Sequence, residues 1–265
     1  MTISAPDPFV LPELPTYPQG NQATAGRTLV SKALVAGEST AVFLTLGDSL
    51  MSNTVSSTYT PTQAKNQNFN VYDGGLYATV EPLLGCNTNL AQFNSGCFFT
   101  RAADALISGA VFQRVIHAPI AVGGSVLSDY AAGGPVAGRF AAAHRRLVAN
   151  GLTPTHVFIM LGANDTNLGT SQASATLSLQ SIIANIRGLS AANIFVARHS
   201  IFGLATSAAV QAAHAAVLDP TNKVFTGGDM DSLTSSANYW DNTHFNATGA
   251  AAAAVLATSA ISAHP

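Results

Sequence analysis

Four short segments of this 265-residue chain hold residue types that can carry out nucleophilic chemistry together. They are Gly47-Asp48-Ser49-Leu50, Gly123-Gly124-Ser125, Gly162-Ala163-Asn164-Asp165 and Asp241-Asn242-Thr243-His244. A serine hydroxyl is a poor nucleophile until a neighbouring base takes its proton, which makes Ser49 a candidate only if a base reaches it. His244 is the natural base, because an imidazole can move a proton in either direction near neutral pH. Asp241, three residues earlier in the chain, is placed to hold one ring nitrogen and fix the tautomer. Attack on an acyl carbon creates an oxyanion that needs fixed donors. The backbone N–H groups of Ser49 and Gly124 and the side-chain amide of Asn164 are the candidates. A glycine at position 124 lets a substrate approach the backbone closely. The chain order is Ser, Asp, His, and the absence of GxSxG separates this set from the nucleophile elbow of the α/β-hydrolases.

These segments can meet only if the secondary structure brings them to one place. Ala41–Leu46 is an uninterrupted apolar run ended by a glycine, the pattern of a strand buried on both faces. Similar runs span residues 114–122, 155–161 and 193–197, and Lys223–Phe225 is a shorter fifth. Helical patterns fill the intervals at 100–109, 136–150, 173–189, 206–218 and 246–262. Strands alternating with helices predict a parallel sheet covered on both faces, with all strand C-termini on one edge. Ser49, Gly124 and Asn164 each follow one of those strands, and His244 precedes the last helix. The segment 51–98 shows no periodicity and reads as a lid-like insertion overhanging the active edge. The chain therefore divides into a Pro-rich arm over residues 1–40 and one domain over 41–265.

Composition narrows the function class. The chain is 48% hydrophobic and only 9% charged, with 11 Lys and Arg against 13 Asp and Glu. Disorder requires the reverse balance, and a coiled coil requires charges in every heptad. The longest basic cluster is Arg145-Arg146, which gives no stripe for a nucleic acid. No CxxC or HExxH points to a metal. Residues 1–20 lack a basic cluster and an apolar core, so no signal peptide is expected. The Ala-rich stretch 250–263 is shorter than the roughly 20 residues a membrane span needs. Cys86 and Cys97 could close a short disulfide loop or remain two buried thiols, and the sequence leaves both open.

The motifs GDSL, Gly124, GAND and DNTH, in that order, resemble the blocks of the SGNH (GDSL) hydrolase superfamily over roughly residues 41–260. GDSL, GAND and DNTH in order, each at a strand end or before the last helix, is a coincidence on the order of one in ten thousand or rarer. The resemblance implies an α/β fold, a flavodoxin-like three-layer α/β/α sandwich with a mostly parallel sheet, here expected to be five-stranded. It implies ester hydrolysis without a cofactor, with Ser49 as nucleophile and Gly124 and Asn164 as oxyanion donors. Asp241 and His244 would complete the triad. Gly124 is preferred to Gly123 because a small polar residue follows it.

Three further stretches, Glu81-Pro-Leu-Leu-Gly85, Gly123-Gly124-Ser125 and Leu152–His156, resemble the sialate and xylan O-acetylesterase branch. The expected substrate is therefore a small acyl ester, acetyl above all, on a carbohydrate. Tyr59, Phe69, Tyr72 and Tyr77 are candidates to stack on sugar rings. A lipase or arylesterase, an acyltransferase and a glycan-binding module are the alternatives. Asp48 and Asp165 read as braces for their loops, His117 and His199 as structural histidines, and Asn246 as a helix cap.

Overall fold

The computed structural model describes residues 11, 12, 14, 23–87 and 95–265. Seven strands form one sheet in the order β3-β2-β4-β1-β5-β6-β7. They are β1 (Thr40–Gly47), β2 (Asn66–Phe69), β3 (Leu76–Ala78), β4 (Arg114–Pro119), β5 (His156–Met160), β6 (Asn193–Arg198) and β7 (Val224–Asp229). All neighbours are parallel except the β2–β3 pair. The helices are α1 (Phe98–Ser108), α2 (Leu127–Tyr130), α3 (Arg139–Ala149), α4 (Ala163–Leu168), α5 (Gln172–Arg187), α6 (Ala208–Ala216) and α7 (Ala247–Ser262).

Strand alternation divides the apolar residues between two cores. On one face Val42, Leu44, Ile116, Val157, Ile159 and Ile194 pack against residues of α3, α5 and α6, such as Leu147, Ile182 and Ala213. On the other face Phe43, Val115, Phe158 and Phe195 pack against α1 and α7. The Ala-rich stretch of α7 buries Ala250, Ala253, Ala254 and Ala257, so small residues let this helix lie close to its neighbours. The result is the expected three-layer α/β/α sandwich. No described helix is long and apolar enough to cross a membrane.

Two expectations need correction. The sheet has seven strands rather than five, and the extra two come from the segment expected to be a lid. Hydropathy hides β2 because Asn66, Gln67 and Asn68 are polar yet buried. Their amides are satisfied internally: Asn66 donates to Asp104 at 2.8 Å, Gln67 accepts from Arg114 at 2.8 Å, and Asn68 donates to the Leu84 carbonyl at 3.1 Å. A buried polar side chain is tolerated once it is hydrogen-bonded. Most of the described part of segment 51–98 thus builds sheet and core, while residues 88–94 lie outside the described residues. Cys86 and Cys97 are free, buried thiols, each with its sulfur within 4 Å of the Met51 carbonyl (3.8 and 3.5 Å).

The arm also has a structural role. Val30 N–H donates to Leu76 and Ala78 N–H donates to Thr28, so the arm runs beside β3 and covers the exposed sheet edge. Leu11 is fully buried, and Arg139 reaches back to the Pro12 carbonyl at 3.1 Å.

Four buried histidines bear on stability. Burial lowers His117 to about 3 and His156 and His199 to about 4, and it lowers His214 as well. The unfolded chain takes up protons on these imidazoles as pH falls through about 6.5, whereas the native state does not. Stability should therefore drop on acidification, by at most about 1.4 kcal/mol per pH unit for each ring. Asp48, which burial pushes up to about 7, works in the opposite direction, as do Glu81 and Asp165, which burial also raises, while burial of His144 adds to the imidazole side. Thermal melts should give a lower Tm at pH 5 than at pH 7. An equal or higher Tm at pH 5 would contradict this assignment.

Candidate active site

The three central strands set the site. β1 lies between β4 and β5, so the turns that follow these strands emerge side by side at the C-terminal edge. This is the switch point at which open parallel sheets form a crevice. Ser49 leaves β1, Gly124 follows β4, and Asn164 follows β5.

Ser49 begins a one-turn 3-10 helix, Ser49–Met51, capped by Asp48, whose carboxylate accepts the Leu50 N–H at 3.0 Å. The Ser49 carbonyl accepts from the Ser52 hydroxyl at 3.0 Å and the Thr54 hydroxyl at 2.6 Å, which fixes the turn. His244 comes from the loop before α7. Its Nε2 lies 2.9 Å from Ser49 Oγ, and its Nδ1 lies 2.6 Å from Asp241 Oδ2. The other oxygen of Asp241 accepts the Thr243 N–H at 3.0 Å and the His244 N–H at 2.7 Å, closing a tight local turn. Asn242 takes the left-handed backbone, φ 67°, that this turn requires and that asparagine tolerates.

The electrostatics fix the tautomer. Partial burial alone would raise the Asp241 pKa, but the backbone and ring N–H groups of His244 and the Thr243 N–H outweigh it and hold the carboxyl below its ordinary value. An ionised carboxylate only accepts, so Nδ1 carries the proton and the Nε2 lone pair faces the Ser49 hydroxyl. This line can draw a proton from Ser49 and stabilise the resulting imidazolium.

The candidate donors come from the turns that follow β1, β4 and β5. Gly124 is exposed and takes φ 77°. The Gly123 N–H is already committed to the Asn87 carbonyl at 2.8 Å, whereas among the described residues the Gly124 and Ser49 N–H groups have no protein acceptor. That distinction favours Gly124 over Gly123 as a donor. Asn164 Nδ2 donates to the Ser125 carbonyl at 3.1 Å, tying its amide to the Gly124 turn and leaving its second hydrogen available. All five candidate residues, Ser49, Gly124, Asn164, Asp241 and His244, are therefore brought to one edge.

The supporting residues behave as follows. Asp165 accepts the Leu127 N–H at 2.9 Å and so joins α4 to α2. His117 is a core residue hydrogen-bonded to Thr45 Oγ1 at 2.7 Å, and Asn246 caps α7 through the N–H groups of Thr248 and Gly249. The aromatics expected to stack on sugars have other partners. Phe69 is buried in the core, Tyr59 bonds Asp104 and lies under Arg101, Tyr77 bonds Asp73, and Tyr72 packs on the core. The aromatic at the site is Trp240, which the sequence reading missed. Its indole stacks on the His244 ring at 5.8 Å and 24°, it donates to the Thr54 carbonyl at 3.1 Å, and it stays 42% exposed. It is the only tryptophan in the chain and directly precedes the Asp-x-x-His segment, a signal that could have found it. Thr54 thereby links the serine turn to the histidine loop.

Comparison with solved structures places the architecture. A protein from Arabidopsis thaliana superposes with a TM-score of 0.65 at 14% identity, over 85% of this chain and 98% of that one. A putative GDSL-like lipase from Parabacteroides merdae matches with a TM-score of 0.52 at 14% identity, over 84% and 96%. The chain shares its fold with these proteins. A lipase/acylhydrolase from Enterococcus faecalis is also similar, with a TM-score of 0.51 at 13% identity over 84% and 96%. No protein-family profile and no curated protein sequence matches the chain.

Gly162 offers a direct check on how this site is assembled. It sits at φ 137°, and a Cβ there would lie 2.2 Å from the His199 carbonyl oxygen. Both backbone strain and overlap oppose a side chain at the residue that launches α4. Gly162→Ala should lower stability by about 2–4 kcal/mol in chemical denaturation. A loss below about 0.5 kcal/mol, the scale of an ordinary surface change, would show that the turn is not constrained in this way.

Proposed function

We propose that the protein is a serine ester hydrolase that removes a small acyl group, acetyl in our reading, from a carbohydrate. The observation that carries the hydrolase reading is the continuous line from Ser49 Oγ through His244 to Asp241, 2.9 and 2.6 Å. In this mechanism His244 Nε2 takes the Ser49 proton as Oγ attacks the ester carbonyl. The N–H groups of Ser49 and Gly124 and the Asn164 amide receive the oxyanion. Collapse expels the alcohol, protonated by His244, and leaves an acyl-enzyme on Ser49. Water, activated by the same imidazole, then releases the acid. No step calls for a cofactor.

The carbohydrate reading rests on less. Trp240 presents an exposed aromatic surface beside the His244 imidazole, of the kind on which a sugar ring can lie. The four segments contain no Lys or Arg that would favour a phosphorylated substrate. The fold shared with proteins described as lipases agrees with the hydrolase class but does not choose the acyl group.

Ser49→Ala should reduce kcat on p-nitrophenyl acetate by roughly three orders of magnitude or more while leaving the fold intact. Unchanged turnover in the variant would rule out Ser49 as nucleophile. Acetate release from acetylated xylan or sialosides should exceed turnover of long-chain p-nitrophenyl esters. Preference for octanoyl or longer chains would replace the acetylesterase reading with a lipase-like one.

A further inference from the structure

A second carboxylate–imidazole pair lies buried behind the first. Asp48 is fully buried immediately before the nucleophile. One of its oxygens accepts the Leu50 N–H in the serine turn. The N–H groups of Ala163 and Gly162, in the turn that leads to Asn164, also favour its charged form. One carboxyl group is thus shared between the segment that carries Ser49 and the segment that carries Asn164. Its remaining oxygen, Oδ2, has no hydrogen-bond partner among the described residues, and His199 Nε2 lies 3.7 Å from it.

His199 is correspondingly unusual for a core residue. It is 1% exposed, and neither ring nitrogen has a hydrogen-bond partner among the described residues. The sequence reading of a satisfied structural histidine does not describe it. Its backbone is held in place from the far side: the next residue, Ser200, donates both its N–H and its hydroxyl to Asp231 at 2.6 Å. Its own carbonyl oxygen abuts Gly162, where a methyl group would come within 2.2 Å. His199 therefore meets Asp48 through its ring and the Asn164 turn through its backbone. The other ionisable groups facing this pair are Asp165 toward Asp48, and Asp231 and His214 toward His199.

We propose that His199 is a positioning residue: by bearing on Asp48 from behind, it fixes the Ser49 turn against the Asn164 turn and so sets the geometry of the oxyanion donors. An apolar side chain of similar size would fill the space but remove the imidazole nitrogen beside Asp48 Oδ2, and a buried carboxyl that loses a polar neighbour relaxes toward other donors. Movement of the donor set by a fraction of an ångström changes transition-state stabilisation more than ground-state binding.

The inference rests on the esterase reading, and its test separates the two. Kinetics on p-nitrophenyl acetate and Tm are measured for the wild type, His199→Leu and His199→Gln. His199→Leu should lose about tenfold or more in kcat with KM within about twofold, and His199→Gln, which keeps a polar group toward Asp48, should recover to within about threefold of wild type. A purely structural role would shift Tm and leave the kcat of folded protein alone. Wild-type kcat in His199→Leu overturns the inference, as does a His199→Gln variant no better than His199→Leu. Should His199→Leu not fold, Asp48→Asn is read instead: a fall in kcat at constant KM supports the pairing and wild-type kcat overturns it. Absence of turnover by the wild type would remove the esterase reading itself, whereas an active wild type with a fully active His199→Leu removes only this inference.

Discussion

The parallel pairing of β1 with β4 on one side and β5 on the other is the constraint on which the rest depends. Parallel strands require crossovers, and right-handed crossovers deliver every strand end to the same edge. Three consecutive positions across that edge then carry a hydroxyl, a glycine turn and an amide. The fourth component, the Asp241–His244 turn, comes from elsewhere in the chain and must be brought to the hydroxyl by other means. Thr54 does this: its hydroxyl donates to Ser49 and its carbonyl accepts from Trp240, while Ser56 N–H donates to the Phe245 carbonyl. The site is therefore a rigid edge joined to one tethered loop.

A chain with few charges uses many of them inside. Arg139 is fully buried and donates to the carbonyls of Ile120, Pro12 and Gly85, joining the end of β4, the arm and the segment before Cys86. Asp104 on α1 accepts from Tyr59, Thr62 and Asn66, anchoring the irregular segment that precedes β2. Glu81 accepts from Tyr59 and Cys97 N–H groups on either side of the same region. Each of these groups satisfies loop backbone or side-chain atoms that water would otherwise have to reach. The scarcity of charge at the surface and its concentration in loop anchors are two sides of one economy.

How much of this could be read from the sequence depends on where the information sits. The four strands β1, β4, β5 and β6 were legible, because burial on both faces leaves a plain hydropathy signal, while the half-buried β7 showed only as the short run Lys223–Phe225. So were the five longer helices and the catalytic candidates, whose types and order point to a single chemistry. β2 was not, since its buried side chains are asparagines and a glutamine made acceptable only by partners distant in sequence. α2 and α4 are too short to show a helical period. The position of Trp240 against His244 and of His199 against Asp48 are tertiary facts, and single residues without a periodic context carry no such signal. The preference for Gly124 over Gly123 gains support from one hydrogen bond, Gly123 N–H to Asn87, which no sequence pattern shows.

The central claim is that Ser49 is activated by His244 held on Asp241. Incubation with a fluorophosphonate probe followed by peptide mass mapping tests it most directly, because only an activated serine beside an oxyanion site reacts readily. The account predicts a single covalent adduct on Ser49, formed rapidly by the wild type and very slowly by His244→Ala. No adduct, an adduct on another serine, or equal labelling in His244→Ala would contradict it.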